Sequence, residues 1–198
     1  MLTTGKEKAV TDSVPKTRYD LGMQALHWAT ALAIVGAFVL IQVVEGLPKG
    51  DTRAFMMGLH KSLGVVALAL VLVRVVWRHV SPPPALPPMA PWVETASRVG
   101  HGALYVLMVA VPLVGMVMSW SAGRPIGVFG LFTLPTLLPP NPALKETAEG
   151  VHEVLGNAIL ILAGLHAVAA LVHQYVLKDG VLARMLPWGQ TLSPPRRG

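Results

Sequence analysis

Three histidines in the last third of the chain, His152, His166 and His173, are separated by 14 and 7 residues. At about 100° per residue those separations return to within roughly 40° and 20° of whole helical turns, so the three rings share one stripe. Fourteen residues rise about 21 Å, most of the roughly 30 Å hydrocarbon thickness of a bilayer. His27, His60 and His101 belong to three other apolar segments, and His79 follows Arg78 at the edge of one of them. If successive helices alternate in direction, His60 falls level with His152, and His27 with His166. Two imidazoles on different helices at one depth can clamp a planar macrocycle. Each gives a lone pair to an axial position of the iron while its other nitrogen finds an acceptor nearby.

Any one of these rings alone is equally well explained by a helix-to-helix hydrogen bond; the pairing by depth is what favours a cofactor. Zinc wants four ligands converging on one point, and these pairs stand most of a membrane apart. A proton relay or metal-transport path is the alternative use of a histidine-lined bundle. His101, near the start of its helix, and His173, near the end of its own, fall on the same side of the membrane, one level below the inner pair. They fit either headgroup-depth residues or a quinone pocket in which a ring nitrogen bonds a quinone carbonyl. His79 reads as solvated. Gly22, Gly36, Gly64 and Gly156 suit close approach of a porphyrin to the backbone and suit bare helix packing equally.

The elements that must carry these rings follow from composition. The 198 residues are 53% hydrophobic and 13% charged, with a mean hydropathy of +0.57. Charged residues normally make up about a quarter of a globular chain, so half that share is missing and lipid is the expected solvent. The chain has no cysteine, which excludes disulfides, thiolate metal sites, iron–sulfur clusters and covalently attached c-type haem. The net charge of +6 flanks apolar runs instead of forming a stripe on a soluble face, so nucleic acid is not an expected partner.

Uncharged runs cover residues 21–44, 99–123 and 154–177, each longer than the about 20 residues a crossing helix needs. The first reads as a retained span and not a cleaved signal peptide, because its apolar core is too long. A fourth span needs residues 54–80, with Lys61 and Arg74 near opposite ends, where basic side chains snorkel or pair with a buried anion. The expected spans are therefore 21–45, 54–80, 98–122 and 150–177, in a single membrane domain over residues 1–198. An N-terminal arm covers 1–20 and a C-terminal tail 178–198. Residues 81–91, SPPPALPPMAP, cannot continue a helix. Residues 124–147 carry five prolines with Phe129 and Phe132, and read as a partly apolar loop at the membrane surface.

Eleven basic residues (Lys6, Lys8, Lys16, Arg18, Arg74, Arg78, Arg98, Lys178, Arg184, Arg196 and Arg197) fall on the side of the termini. Five (Lys49, Arg53, Lys61, Arg124 and Lys145) fall on the other. The excess predicts cytoplasmic termini. The fold class is thus all-α, an integral membrane four-helix bundle.

The motifs QALHW (24–28), HKSLG (60–64), LVRVVWR (72–78), GHGALYVL (100–107), VPLVGMVMSW (111–120), VHEVLGNAILILAGLHAVAALVHQYVLKD (151–179) and LARMLP (182–187) occur in this order. Together they resemble the bacterial cytochrome b561 family of diheme four-helix membrane cytochromes, and within it the superoxide:ubiquinone oxidoreductase type. The similarity runs from about residue 19 to 187. It implies two non-covalent haem b groups with bis-histidine ligation, His27 with His166 for the inner and His60 with His152 for the outer. It also implies a ubiquinone site near the cytoplasmic face of the bacterial inner membrane, for which His101, His173 and Arg74 are the candidates. The implied donor is superoxide. The outer loops carry five basic residues against Glu45, Asp51, Glu146, Glu149 and Glu153, a net charge of zero. Only a local cluster of Lys49, Arg53, Lys61 and Arg124 could attract an anion there. The alternative is a membrane-anchor electron-transfer subunit serving a partner dehydrogenase or hydrogenase.

Overall fold

The computed structural model describes residues 17–85 and 87–189. Of the basic residues in the orientation count, Lys6, Lys8, Lys16, Arg196 and Arg197 lie outside the described residues, as do most of the N-terminal arm and the last part of the tail. Four long helices dominate: α1 (Leu21–Gly46), α2 (Asp51–Val80), α3 (Pro91–Ser121) and α4 (Pro142–Leu171). All four are long and apolar enough to cross a membrane. A π-helical turn, Val172–Val176, continues α4, and a 3-10 turn, Leu182–Met185, follows it. The end of the bundle where α1 starts and α4 finishes is called proximal below, and the opposite end distal.

Side-chain caps mark the starts of α1 and α4, and first-turn prolines those of α3 and α4. Asp20 caps α1 by accepting from the Met23 N–H at 3.0 Å, and Asn141 caps α4 by accepting from the Leu144 N–H at 3.0 Å. Pro91 and Pro142 occupy first-turn positions of α3 and α4, where a missing N–H costs nothing. Both helices therefore begin seven or eight residues before the spans expected from hydropathy. Their charged first turns project beyond the apolar belt.

The segment expected to be a surface loop over 124–147 is more ordered than that. It holds an antiparallel hairpin of β1 (Ile126–Val128) and β2 (Phe132–Leu134), and its last residues already belong to α4. Ile126 and Val128 are buried while Phe129, Leu131 and Phe132 are exposed. The hairpin is pinned to α2 by Ser62, whose hydroxyl donates to Gly127 O at 3.2 Å and accepts from the Phe129 N–H at 2.9 Å.

Helix α1 packs along α2 and α3 along α4, and the two helical hairpins meet mainly between α2 and α3. Val71, Met108 and Ile159 form a buried cluster with Ile34, Leu68 and Leu104 packed on it. All four helices contribute. Ile159 stands seven residues from both His152 and His166, so this apolar plug lies about 10 Å from each histidine level.

The proximal end is tied by Asp20. Its carboxylate also accepts from Trp77 Nε1 at 2.9 Å and from the Ser81 hydroxyl at 2.8 Å, joining the start of α1 to the end of α2. Gly22 is required beside it, because a Cβ there would sit 2.6 Å from the Trp77 ring. Gly36 likewise admits Leu63 of α2, at 3.0 Å from a notional Cβ. Those two glycines serve helix packing. Gly64 and Gly156 meet nothing within 4 Å and keep the other use open.

Candidate functional site

At the distal level the His60 and His152 rings lie with centroids 6.2 Å apart. His60 Nδ1 is 2.8 Å from Ala37 O on α1, and His152 Nδ1 is 3.0 Å from Val111 O on α3. A carbonyl only accepts, so both Nδ1 atoms carry the proton and both Nε2 atoms keep a lone pair. The His152 ring lies against Gly115, where a Cβ would stand 2.9 Å from Cε1. Any other residue would push the ring out of place. Gly115 is a site residue the histidine pattern did not reveal, although its depth on α3 matches that of His152.

A cleft at this level is lined by His60, His152, Gly64, Gly115, Lys61 and Ile126 of the hairpin. Lys61 Nζ donates to the Ser119 hydroxyl at 2.9 Å, and that hydroxyl donates to Arg124 O at 3.0 Å. Arg53 is not part of this group: its guanidinium donates to Val44 O and, at 2.9 Å, to Leu47 O, capping the end of α1. Of the basic cluster expected from sequence, Lys61 lines the cleft, and Arg124 adjoins it through the carbonyl that the Ser119 hydroxyl bonds.

At the proximal level the His27 and His166 centroids are 6.3 Å apart. His101 stands beside them, its ring 5.1 Å from that of His166 and its Nδ1 2.6 Å from Ser97 O. The reading that placed His101 a level below the inner pair is corrected here. Because α3 begins at Pro91, His101 sits about 15 Å into that helix. His173 lies on the π-helical turn, with its Nδ1 2.5 Å from Asp179 Oδ2. His79 is exposed at the end of α2.

Two metal–imidazole bonds of about 2 Å, with about 1 Å more from each nitrogen to its ring centre, make about 6 Å. The His27–His166 and His60–His152 separations fit one iron between each pair. The His101–His166 separation is too short for that. Buried polar atoms that lack a partner among the described residues gather at the proximal end: His27 Nδ1 and Arg74 Nε, with Arg18 Nε and Gln24 Oε1 nearer the helix start. The Arg74 guanidinium lies over the Tyr105 ring, 5.4 Å from its centroid. An uncompensated buried cation is costly, and a haem propionate is the kind of anion that would satisfy it. The residues present therefore fit haem at both levels.

Outside the spans one carboxylate is strongly perturbed. Partial burial works against the charge of Asp20. Hydrogen bonds from the Met23 N–H, Ser81 and Trp77 outweigh it and hold the group at about 2, below its ordinary 3.8.

A family model described as prokaryotic cytochrome b561 matches residues 18–188. Cytochrome b561 homolog 2 of Escherichia coli (strain K12) is 36% identical over 171 residues, covering 85% of this chain and 91% of that protein. A probable superoxide oxidase CybB of Yersinia pestis is 32% identical over 171 residues, covering 86% and 96%. Cytochrome b562 of Cereibacter sphaeroides is 32% identical over 166 residues, covering 81% and 90%. With four spanning helices and a match over nearly the whole described chain, the protein belongs to the prokaryotic cytochrome b561 family, multi-pass bacterial membrane proteins that carry b-type haem and transfer electrons.

Proposed function

We propose that the chain, as a single membrane domain over residues 1–198, holds two haems and oxidises superoxide at its distal end while reducing ubiquinone at its proximal end. The observation that carries this reading is the pair of imidazole couples, 6.2 and 6.3 Å between centroids, on either side of an apolar plug. His60 with His152 are the distal ligands and His27 with His166 the proximal ones. Haem b bound between each couple supplies reversible one-electron chemistry at a potential tuned by its axial and neighbouring groups.

The side chains divide the remaining work. At the distal cleft Lys61 and Arg124 supply positive charge for an anionic donor. At the proximal end Arg74, His101 and His173 are the polar groups available to bind a propionate or a quinone. The balance is two superoxide anions, each losing one electron and leaving as O2, against one quinone gaining two electrons and two protons. The similarity to a probable superoxide oxidase supports the donor. The excess of basic residues at the proximal end supports its placement at the cytoplasmic face of the inner membrane.

The test is the purified chain mixed with a superoxide source and a short-chain ubiquinone, with no other protein added. Quinone reduction that stops when superoxide is dismutated is the expected result. No turnover until a dehydrogenase or hydrogenase is supplied would make the chain a membrane-anchor subunit instead.

A further inference from the structure

The segment just past α4 departs from regular geometry three times within nine residues. Val172–Val176 is a π turn, a rare form frequent at functional sites. Lys178 has φ 56° and Gly180 has φ 73°. A lysine in the left-handed region costs about 1 kcal/mol or more and persists only where surrounding structure demands it. Asp179 lies between these two residues. Its own N–H donates to His173 O at 3.2 Å, its Oδ2 lies 2.5 Å from His173 Nδ1, and its Oδ1 accepts from the Val181 N–H at 3.2 Å. The chain beyond is locked in turn, because the Ala183 N–H donates to the buried Gln174 Oε1 at 3.2 Å. Within this irregular segment the Asp179 carboxylate meets the His173 ring.

We propose that Asp179 is a positioning residue for proton delivery to the quinone, fixing through Nδ1 the ring of His173 so that Nε2 is the proton-donating atom. This rests on the quinone-reducing reading above. A carboxylate accepts and cannot donate, so Nδ1 keeps its proton and the bond orients the ring. When the ring carries both protons, the one that leaves is on Nε2. It passes to a carbonyl oxygen of the quinone as that oxygen gains electron density, and the ring left neutral at Nε2 takes a new proton from water at the membrane surface. Two such cycles supply the two protons of the quinol. His173 and Asp179 side chains are only 17% and 22% exposed, so the pair is sheltered yet reachable from the aqueous edge.

The test uses the full chain, pre-reduced and mixed with a short-chain ubiquinone in stopped flow, comparing Asp179→Asn and Asp179→Glu with the parent. An asparagine removes the charge and can present either its amide N–H or its carbonyl to Nδ1, so it no longer dictates which ring nitrogen carries the proton; a glutamate restores the obligate acceptor. The expected result for Asp179→Asn is unchanged haem content and spectrum, an unchanged half-saturating quinone concentration, and a maximal reoxidation rate at least about tenfold lower. Asp179→Glu should regain much of that rate. An unchanged maximal rate in Asp179→Asn overturns the proposal. So does loss of haem in that variant, weakened quinone saturation with the maximal rate intact, or a glutamate no faster than the asparagine. A parent protein that quinone does not reoxidise at all overturns the quinone reading itself, and this proposal with it.

Discussion

The distal and proximal levels use the same pair of ligand types and differ in almost everything around them. Distally, each ring is anchored through Nδ1 to a carbonyl of a neighbouring helix, Ala37 O or Val111 O, and Gly115 fixes where the His152 ring lies. Proximally, His27 Nδ1 has no partner among the described residues and Arg74 is buried against an aromatic face. His101 lies beside His166, and a histidine–carboxylate pair follows about two turns further on. The contrast matches the chemistry proposed for each end. Oxidising superoxide moves an electron and no proton, so rigid ligation with nearby positive charge suffices. Reducing a quinone needs protons as well, and titratable side chains gather where they are needed.

The largest effect that could break this contrast is ligand removal. His60→Ala or His152→Ala should cost the distal haem alone, and His27→Ala or His166→Ala the proximal one, each halving the haem-to-protein ratio in a haemochrome assay. Loss of both haems from a folded variant would show that the levels are not independent. Gly115→Ala comes next. Its methyl would overlap the His152 ring, a clash worth about 1–3 kcal/mol, so distal haem should be lost or spectrally shifted while the proximal one is untouched. Equal disturbance of both haems would remove the special status of that glycine.

His173→Ala and His101→Ala sharpen the proximal half of the comparison. Both haems should stay bound and reducible, with reoxidation by quinone slowed; unchanged stopped-flow rates in both variants would leave the proximal end without a quinone site. At the distal end Lys61→Gln should slow reduction by superoxide by about tenfold and flatten its dependence on ionic strength, the range expected for loss of steering. Quinone reoxidation should be unaffected.

The smallest effect concerns the tie at Asp20. Its carboxyl is held at about 2 against an ordinary 3.8, so its contribution to stability is fully present above pH 4 and is lost as pH falls through 2. The thermal midpoint of the parent should therefore approach that of Asp20→Asn between those limits. A constant gap across that range would mean that the charge of Asp20 is not what joins α1 to α2.

The four spans and the matching of histidines by depth were legible from the chain alone, because a bilayer imposes a length on apolar runs and a helix imposes a period on side chains. The helix starts were not, since capping by Asn141 and prolines at the first turns of α3 and α4 extend helices past the point where hydropathy stops counting. That shift put His101 beside His166. A glycine's meaning is equally hidden: Gly22, Gly36 and Gly115 each make room for a different side chain on another helix, and only packing says which. Asp179 follows the last span as one charge in a loop, and nothing in its spacing announces a partner. A π turn and two left-handed residues bring it to His173. Such contacts join residues through backbone geometry that no periodicity encodes, so the levels of the two histidine pairs followed from helical spacing while the place of His101 and the partners of every ring were decided by the tertiary fold.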